Sequence, residues 1–321
     1  MGDELEERFR QPENWQWGTM QNARGHNLRY GFSRATGNEQ PKAHIVYVEG
    51  ISEFAEKTFE LARDFNKSSC SFWVMDRFGQ GMSGRFLSNQ FKQHSEGFHH
   101  DVADITKFAR DIVPKDGAPV ILLGHSTGGL IGLMTAHDAP DIFAAAALTA
   151  PLLGSASPVF YQREHWVAAI PMPSFIRNLF IPGGTDWRPR DEKRGDIPNE
   201  DYSSDPDRAY VYDRWLAIKS ALRMGSVTLG WAKEACKAAI MARNPDWLRE
   251  IEIPVHIFTA AQDKLVNNRF SHDAMSHIPD SQLTCFPTGK HDLLMETDDI
   301  RDVIISGTVA LADRARGMQP G

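Results

Sequence analysis

A serine set among small residues is the first feature of this 321-residue chain that could do chemistry. It lies in Gly124-His125-Ser126-Thr127-Gly128-Gly129, which has the spacing G-x-S-x-G. Val120–Gly124 before it reads as a strand, and Thr127–Asp138 after it reads as a helix. A serine on so tight a strand-to-helix turn projects its hydroxyl above the sheet, and flanking glycines remove the Cβ atoms that would clash. The start of the following helix aims backbone N–H groups at developing negative charge. Ser126 is therefore expected to be a nucleophile, with the Thr127 N–H as one oxyanion donor.

The hydroxyl needs a base, and the base needs an acid to orient it. Strand Val255–Ala260 leads into Asp263, and strand Gln282–Phe286 leads into His291. Both residues fall at the C-terminal ends of strands, where open parallel sheets build their sites. Asp292 is too close in sequence to meet the ring of its own neighbour, and Asp280 precedes a strand. His272 and His277 fall on a helical segment and read as surface residues, while His125 belongs to the turn and points elsewhere. A second oxyanion donor is expected from the loop Glu49-Gly50-Ile51-Ser52-Glu53-Phe54, where Gly50 would turn the chain and present the Ile51 N–H. Asp76–Gly84 (DRFGQGMSG) is rich in glycine but has neither the P-loop nor the dinucleotide-binding spacing. It reads as a brace for the site, with Asp76 and Arg77 holding adjacent loops.

These residues must be positioned by a sheet. Ala43–Glu49, Ser71–Asp76, Val120–Gly124 and Phe143–Thr149 read as strands, with helices Phe54–Phe65, His99–Val113 and Thr127–Asp138 between them. Such βαβ alternation predicts an α/β fold, a mostly parallel, doubly wound sheet with helices on both faces. Trp15–Met20 and Asn27–Ser33 read as an antiparallel hairpin around Arg24-Gly25-His26. From 152 to 250 no strand alternates with helix, and only stretches such as Asp213–Arg223 and Val227–Arg243 have helical period. The alternation resumes with Val255–Ala260, a helix near Phe270–His277, Gln282–Phe286 and a last helix near Asp299–Arg316. The expected organisation is a core of residues 1–151 and 251–321, with a helical cap, 152–250, inserted after the sixth strand.

Composition narrows the classes. With 41% hydrophobic and 24% charged residues the chain can bury a large core, and a formal charge of −7 gives no electrostatic reason to bind nucleic acid. Cys70, Cys236 and Cys285 show no metal-ligand or redox spacing and read as reduced, buried thiols. The acidic N-terminus has no apolar core of a signal peptide, Gly2 is followed directly by acidic residues unlike a myristoylation signal, and no apolar run is long enough to span a bilayer. A cytoplasmic protein is expected. The insertion holds 14 Lys and Arg against 13 Asp and Glu, so the acidity lies in the rest of the chain. That difference reads either as ordinary solvated surface or as a cap that an anionic headgroup or membrane surface can approach.

Taken together, Gly50–Phe54, Asp76–Gly84, Gly124–Gly129, Asp263 and Gly289-Lys290-His291-Asp292 resemble the α/β-hydrolase superfamily. The likeness is to the bacterial lysophospholipase and monoacylglycerol lipase branch, also grouped as serine aminopeptidase-like hydrolases. Asp201–Asp207 (DYSSDPD) and Asp213–Trp231 also look like the cap of that branch. The chain departs from it at Glu49-Gly50, where many relatives carry His-Gly. The resemblance implies Ser126 as nucleophile, Asp263 as acid, His291 as base, Ile51 and Thr127 as oxyanion donors, and no metal or organic cofactor. It implies hydrolysis of a small ester or monoacyl lipid through an acyl-enzyme.

Five tryptophans of the insertion, Trp166, Trp187, Trp215, Trp231 and Trp247, either form the cap's own core or line an acyl tunnel, and Pro182-Gly183-Gly184 offers a hinge. Two other readings stand beside the ester hydrolase. An aminopeptidase would need an acid in the cap to hold the substrate amine, from Glu164, Glu200 or Asp201. A catalytically silent binding protein would have no need of a complete Ser–Asp–His set.

Overall fold

A computed structural model describes residues 5–36, 40–191, 193 and 196–317. The first four residues, including Gly2, lie outside it. Eight strands form one sheet: β1 (Trp15–Gln21), β2 (Asn27–Ser33), β3 (His44–Val48), β4 (Ser71–Met75), β5 (Val120–His125), β6 (Ala145–Thr149), β7 (Val255–Ala260) and β8 (Ser281–Phe286). Their order is β1-β2-β4-β3-β5-β6-β7-β8. β2 runs antiparallel to β1 and β4, and every other pair is parallel.

The central strands β3, β4 and β6 are buried at every position, as a parallel sheet covered on both faces requires. Their side chains alternate between two cores. Val46, Val48, Leu122 and Leu148 pack with α2 (Phe98–Asp111) and α3 (Thr127–Asp138). Ile45, Tyr47, Ile121 and Ala147 pack on the other face with α1 (Phe59–Lys67) and the C-terminal helix. The edge strand β8 has one neighbour and is only partly covered, so Cys285 is exposed rather than buried. Cys70 and Cys236 are buried thiols.

Between β6 and β7 the described residues form six α-helices: α4 (Pro158–Tyr161), α5 (Glu164–Ala169), α6 (Ser174–Arg177), α7 (Val211–Ile218), α8 (Leu229–Met241) and α9 (Pro245–Arg249). Then α10 (Asn268–Met275) and α11 (Asp298–Gly317) cover β7 and β8. The helix expected over Asp213–Arg223 is instead α7 followed by a 3-10 turn at Ser220–Leu222. Likewise Phe54 is extended and opens a 3-10 turn, so the helix after β3 starts at Phe59.

The insertion is fastened at two places. Thr228 caps α8 through the Trp231 N–H and meets His94 Nδ1 at 2.9 Å. Arg208 grips both Glu60 oxygens at 2.8 Å and donates to the Glu296 carbonyl at 2.8 Å, tying the DYSSDPD segment to α1 and to the turn before α11. Among the described residues no helix is long and apolar enough to cross a membrane.

Candidate active site

β5 ends against α3 at Ser126, whose φ of 54° and ψ of −117° place it in strained backbone. The strain is held from several sides. Ser126 N–H donates to the Thr149 carbonyl at 2.9 Å, and its own carbonyl accepts from Leu130 N–H at 3.1 Å and Leu152 N–H at 2.9 Å. A Cβ on Gly128 would stand 2.0 Å from the Val48 carbonyl oxygen, and one on Gly124 would stand 2.5 Å from the Gly128 oxygen. Both glycines are there for close backbone approach.

His291, on the loop after β8, places Nε2 2.9 Å from Ser126 Oγ. Its Nδ1 lies 2.7 Å from Asp263 Oδ2. Asp263 Oδ1 accepts from the N–H groups of Leu265 at 2.7 Å and Val266 at 3.0 Å. Burial pushes the Asp263 carboxyl up, but the His291 contact and these two N–H donors outweigh it and hold the group below its usual range. An ionised Asp263 fixes the proton on His291 Nδ1 and leaves the Nε2 lone pair facing Ser126. The three expected residues therefore meet.

Ile51 and Thr127 both line the cavity over Ser126, and among the described residues neither backbone N–H donates a hydrogen bond. The expected sharp turn at Gly50 is displaced. The positive φ in this loop, 64°, belongs to Ser52. A Cβ at Gly50 would fit tightly, approaching Glu53 Oε2 at 3.1 Å and His125 Cδ2 at 3.2 Å.

The sequence reading missed a buried polar strut beneath the site. Glu53 Oε2 accepts from the Gly50 N–H at 2.6 Å and from Tyr47 Oη at 2.9 Å. Lys57 Nζ bonds both the Glu53 and the Asp292 carboxylates, linking the Ile51 loop to the His291 loop. Burial raises the Glu53 carboxyl, but Lys57 dominates and brings it down to about 2. Glu53, His125 and Asp292 are near enough to share a metal ion, but the Lys57 ammonium already bonds both carboxylates. The i,i+4 spacing of Glu53 and Lys57 was a visible signal; the partnership with Asp292 was not. His125 does point away from Ser126, toward Thr149 Oγ1 at 3.1 Å. Glu49, standing where many relatives carry histidine, is fully buried, and burial with the nearby Asp76 carboxylate pushes its carboxyl well above the usual range. It accepts from Gln80 Nε2 at 3.1 Å.

Asp76 and Arg77 brace as expected. Asp76 pairs with Arg29 and accepts from Ala55 and Met82 N–H groups, and Arg77 donates to the Gly50 carbonyl at 3.3 Å. Asp280 pairs with Arg314, away from the site. Pro182-Gly183-Gly184 forms a tight turn, with Gly183 at φ 82° and Gly184 N–H on the Ile181 carbonyl.

The cavity over Ser126 holds about 550 Å³. Its apolar lining includes Leu152, Ile181, Trp231, Ala235, Ala239 and Val266. Its polar lining includes Arg190, Asn199, Tyr202 and Tyr212. The cap tryptophans divide their tasks. Trp231 lines the cavity, Trp187 and Trp215 pack with Phe54 and Leu216, Trp247 packs on the main core, and Trp166 is 66% exposed.

A mostly parallel α/β sheet with Ser, Asp and His converging at its strand ends is the architecture of an α/β-hydrolase. Residues 39–298 match the family described as serine aminopeptidase, S33, and the chain belongs to that family of hydrolases. It is 26% identical over 285 residues to lysophospholipase L2 of Escherichia coli, covering 84% of this chain and 80% of that one. It is 32% identical over 194 residues to the monoglyceride lipase of Homo sapiens, covering 58% of each. A soluble variant of monoglyceride lipase from Saccharomyces cerevisiae, solved with a substrate analog, shares the fold with a TM-score of 0.74 at 16% identity. That match covers 95% of this chain and 96% of the other.

Proposed function

We propose that this chain is a serine ester hydrolase that cleaves a monoacyl lipid through an acyl-enzyme. The observation that carries the reading is the continuous Asp263–His291–Ser126 relay, at 2.7 and 2.9 Å, opening into a cavity with an apolar part. The names of its lysophospholipase and monoglyceride lipase relatives support the substrate class. His291 Nε2 takes the Ser126 proton as Oγ attacks the ester carbonyl. The Ile51 and Thr127 N–H groups receive the oxyanion, each contributing about 3 kcal/mol. His291 then protonates the departing alcohol, and water activated by the same nitrogen releases the fatty acid. Residues 152–250 act as the cap over this chemistry, and exposed Trp166, Phe175 and Leu179 on it touch the lipid surface from which substrate is drawn.

The aminopeptidase reading is weakened because each of the three candidate acids for the substrate amine already has a partner. Glu164 is paired with Arg243, Asp201 with Lys264, and Glu200 accepts from the Tyr210 hydroxyl. Hydrolysis of p-nitrophenyl esters from acetate to palmitate, by wild type and by Ser126→Ala, tests the proposal. Activity abolished in the variant, with an optimum at medium or long chains, is the expected result. A folded wild type inactive on every ester, or a fluorophosphonate probe that leaves Ser126 unlabelled, would overturn it.

A further inference from the structure

The glycine-rich turn after β4 brings two buried donors to one carbonyl. Arg77 and Gln80 stand on consecutive bends of it, with the Gln80 N–H on the Arg77 carbonyl at 3.1 Å. Gly79 and Gly81 carry the chain through at φ 99° and 54°, and a Cβ on Gly81 would stand 2.2 Å from Asp76 Cγ. Both side chains are buried and converge on the Gly50 carbonyl, to which Gln80 Nε2 donates at 3.0 Å and Arg77 Nη2 at 3.3 Å. Arg77 Nη2 also donates to Gln80 Oε1 at 3.0 Å, which fixes the way the amide faces and keeps its NH2 on the loop. Asp101 holds the other arm of the guanidinium at 3.2 Å. Gln80 Nε2 further reaches Glu49 Oε2 at 3.1 Å and the Glu53 carbonyl at 3.2 Å, so one amide spans the loop that carries Ile51.

The Gly50 carbonyl and the Ile51 N–H belong to one peptide plane and point in opposite directions across it, so whatever fixes the carbonyl fixes the N–H. With the oxygen drawn to Arg77 and Gln80, the N–H is turned to the other side of the loop. There Ile51 lines the cavity over Ser126, and among the described residues its N–H has no acceptor. Hydrogen bonds to a carbonyl oxygen, one of them from a cation in a buried setting, also polarise the amide and strengthen its N–H as a donor. We infer that Arg77 and Gln80 are positioning residues for oxyanion binding, aiming and polarising the Ile51 donor without touching substrate. The inference rests on the ester-hydrolase reading, in which an oxyanion forms beside Ser126. The other donor is held differently. The Thr127 N–H shares its peptide with the Ser126 carbonyl, which accepts from the Leu130 and Leu152 N–H groups. Side-chain substitutions in the turn after β4 therefore tune one donor and leave the other.

Gln80→Met, similar in size but without the donor, is compared with wild type in kcat and KM on p-nitrophenyl butyrate and in Ki for an alkyl trifluoromethyl ketone. Ser126 Oγ adds to the ketone carbon as His291 takes the proton, leaving the former carbonyl oxygen as an oxyanion between the two N–H groups. The variant is expected to lose about tenfold in kcat with KM within about twofold, and Ki should rise by about the factor by which kcat/KM falls. Arg77→Lys keeps a charge beside Asp101 but loses the fork, and serves as the second variant should Gln80→Met not fold. A loss of about threefold, divided the same way between kcat and Ki, is expected of it. A folded variant with kcat and Ki unchanged, or a loss that appears in KM alone, would overturn the inference and leave the turn a brace only. A wild type that turns over no ester and goes unlabelled by a fluorophosphonate would instead remove the ester-hydrolase reading, and this inference would fall with it.

Discussion

The elbow at β5–α3 and the 152–250 insertion face the same cavity but are built by opposite means. At the elbow the main chain does the work. Ser126 is held by three backbone hydrogen bonds, Gly128 is pressed on the Val48 carbonyl, and α3 is buried along most of its length. In the insertion, helices such as α4, α6 and α9 are only 4 to 5 residues long, too short to stand alone. The insertion is fastened instead by side-chain pairs such as Arg177–Glu234 between α6 and α8, Glu164–Arg243 at α5, and the Arg208 cluster. A main-chain site tolerates almost no change, whereas a surface built from side chains can change its specificity without refolding. On the proposed function, the sheet would set the chemistry and the insertion the choice of substrate.

The sharpest way to break this contrast is at Gly128. Gly128→Ala is expected to abolish activity and to lower stability by about 3 kcal/mol or more, because the new Cβ meets backbone rather than a movable side chain. A folded, active variant by circular dichroism and ester assay would show that the elbow is softer than its geometry implies. Next, Asp263→Asn should reduce kcat by about 10⁴-fold with little change in KM, since the imidazole loses its fixed tautomer while the cavity is untouched.

Lys57→Met tests whether the strut belongs with the rigid half. Breaking a buried ion pair costs about 3–5 kcal/mol. Glu53 is depressed to about 2 in the folded protein. Its contribution to stability is therefore present above about pH 4.5 and is lost as pH falls toward 2. Thermal melts should show the variant most destabilised near neutral pH and approaching wild type in acid. A constant gap across pH would remove Lys57–Glu53 from the account.

On the insertion, smaller and selective effects are expected. Ala239→Phe, in the apolar part of the cavity, should shift the optimum of the p-nitrophenyl series to shorter chains while a short ester is turned over within about threefold of wild type. Smallest of all, Trp166→Ser and Phe175→Ser should weaken retention on anionic vesicles without altering turnover of a dissolved ester. Equal losses on dissolved and vesicle-bound substrates would mean that these side chains support the cap itself.

The sequence by itself determined the strand order of the chemistry. Ser126, Asp263 and His291 were legible because each sits where a strand ends, and a strand–turn–helix with closely spaced glycines is a local pattern. The helical insertion after the sixth strand was legible because the βαβ period stops there and resumes. Boundaries at Phe54 and Arg223 shifted because 3-10 turns share much of the helical pattern. Only the tertiary structure decided the rest. Lys57 and Asp292 are 235 residues apart, and nothing in either neighbourhood announces the other. The positive φ at Ser52 rather than Gly50 and the exposure of Cys285 on an edge strand likewise depend on what packs against them. Local chemistry and periodicity are written in consecutive residues, whereas burial and charge pairing come from segments that meet only when the sheet has formed.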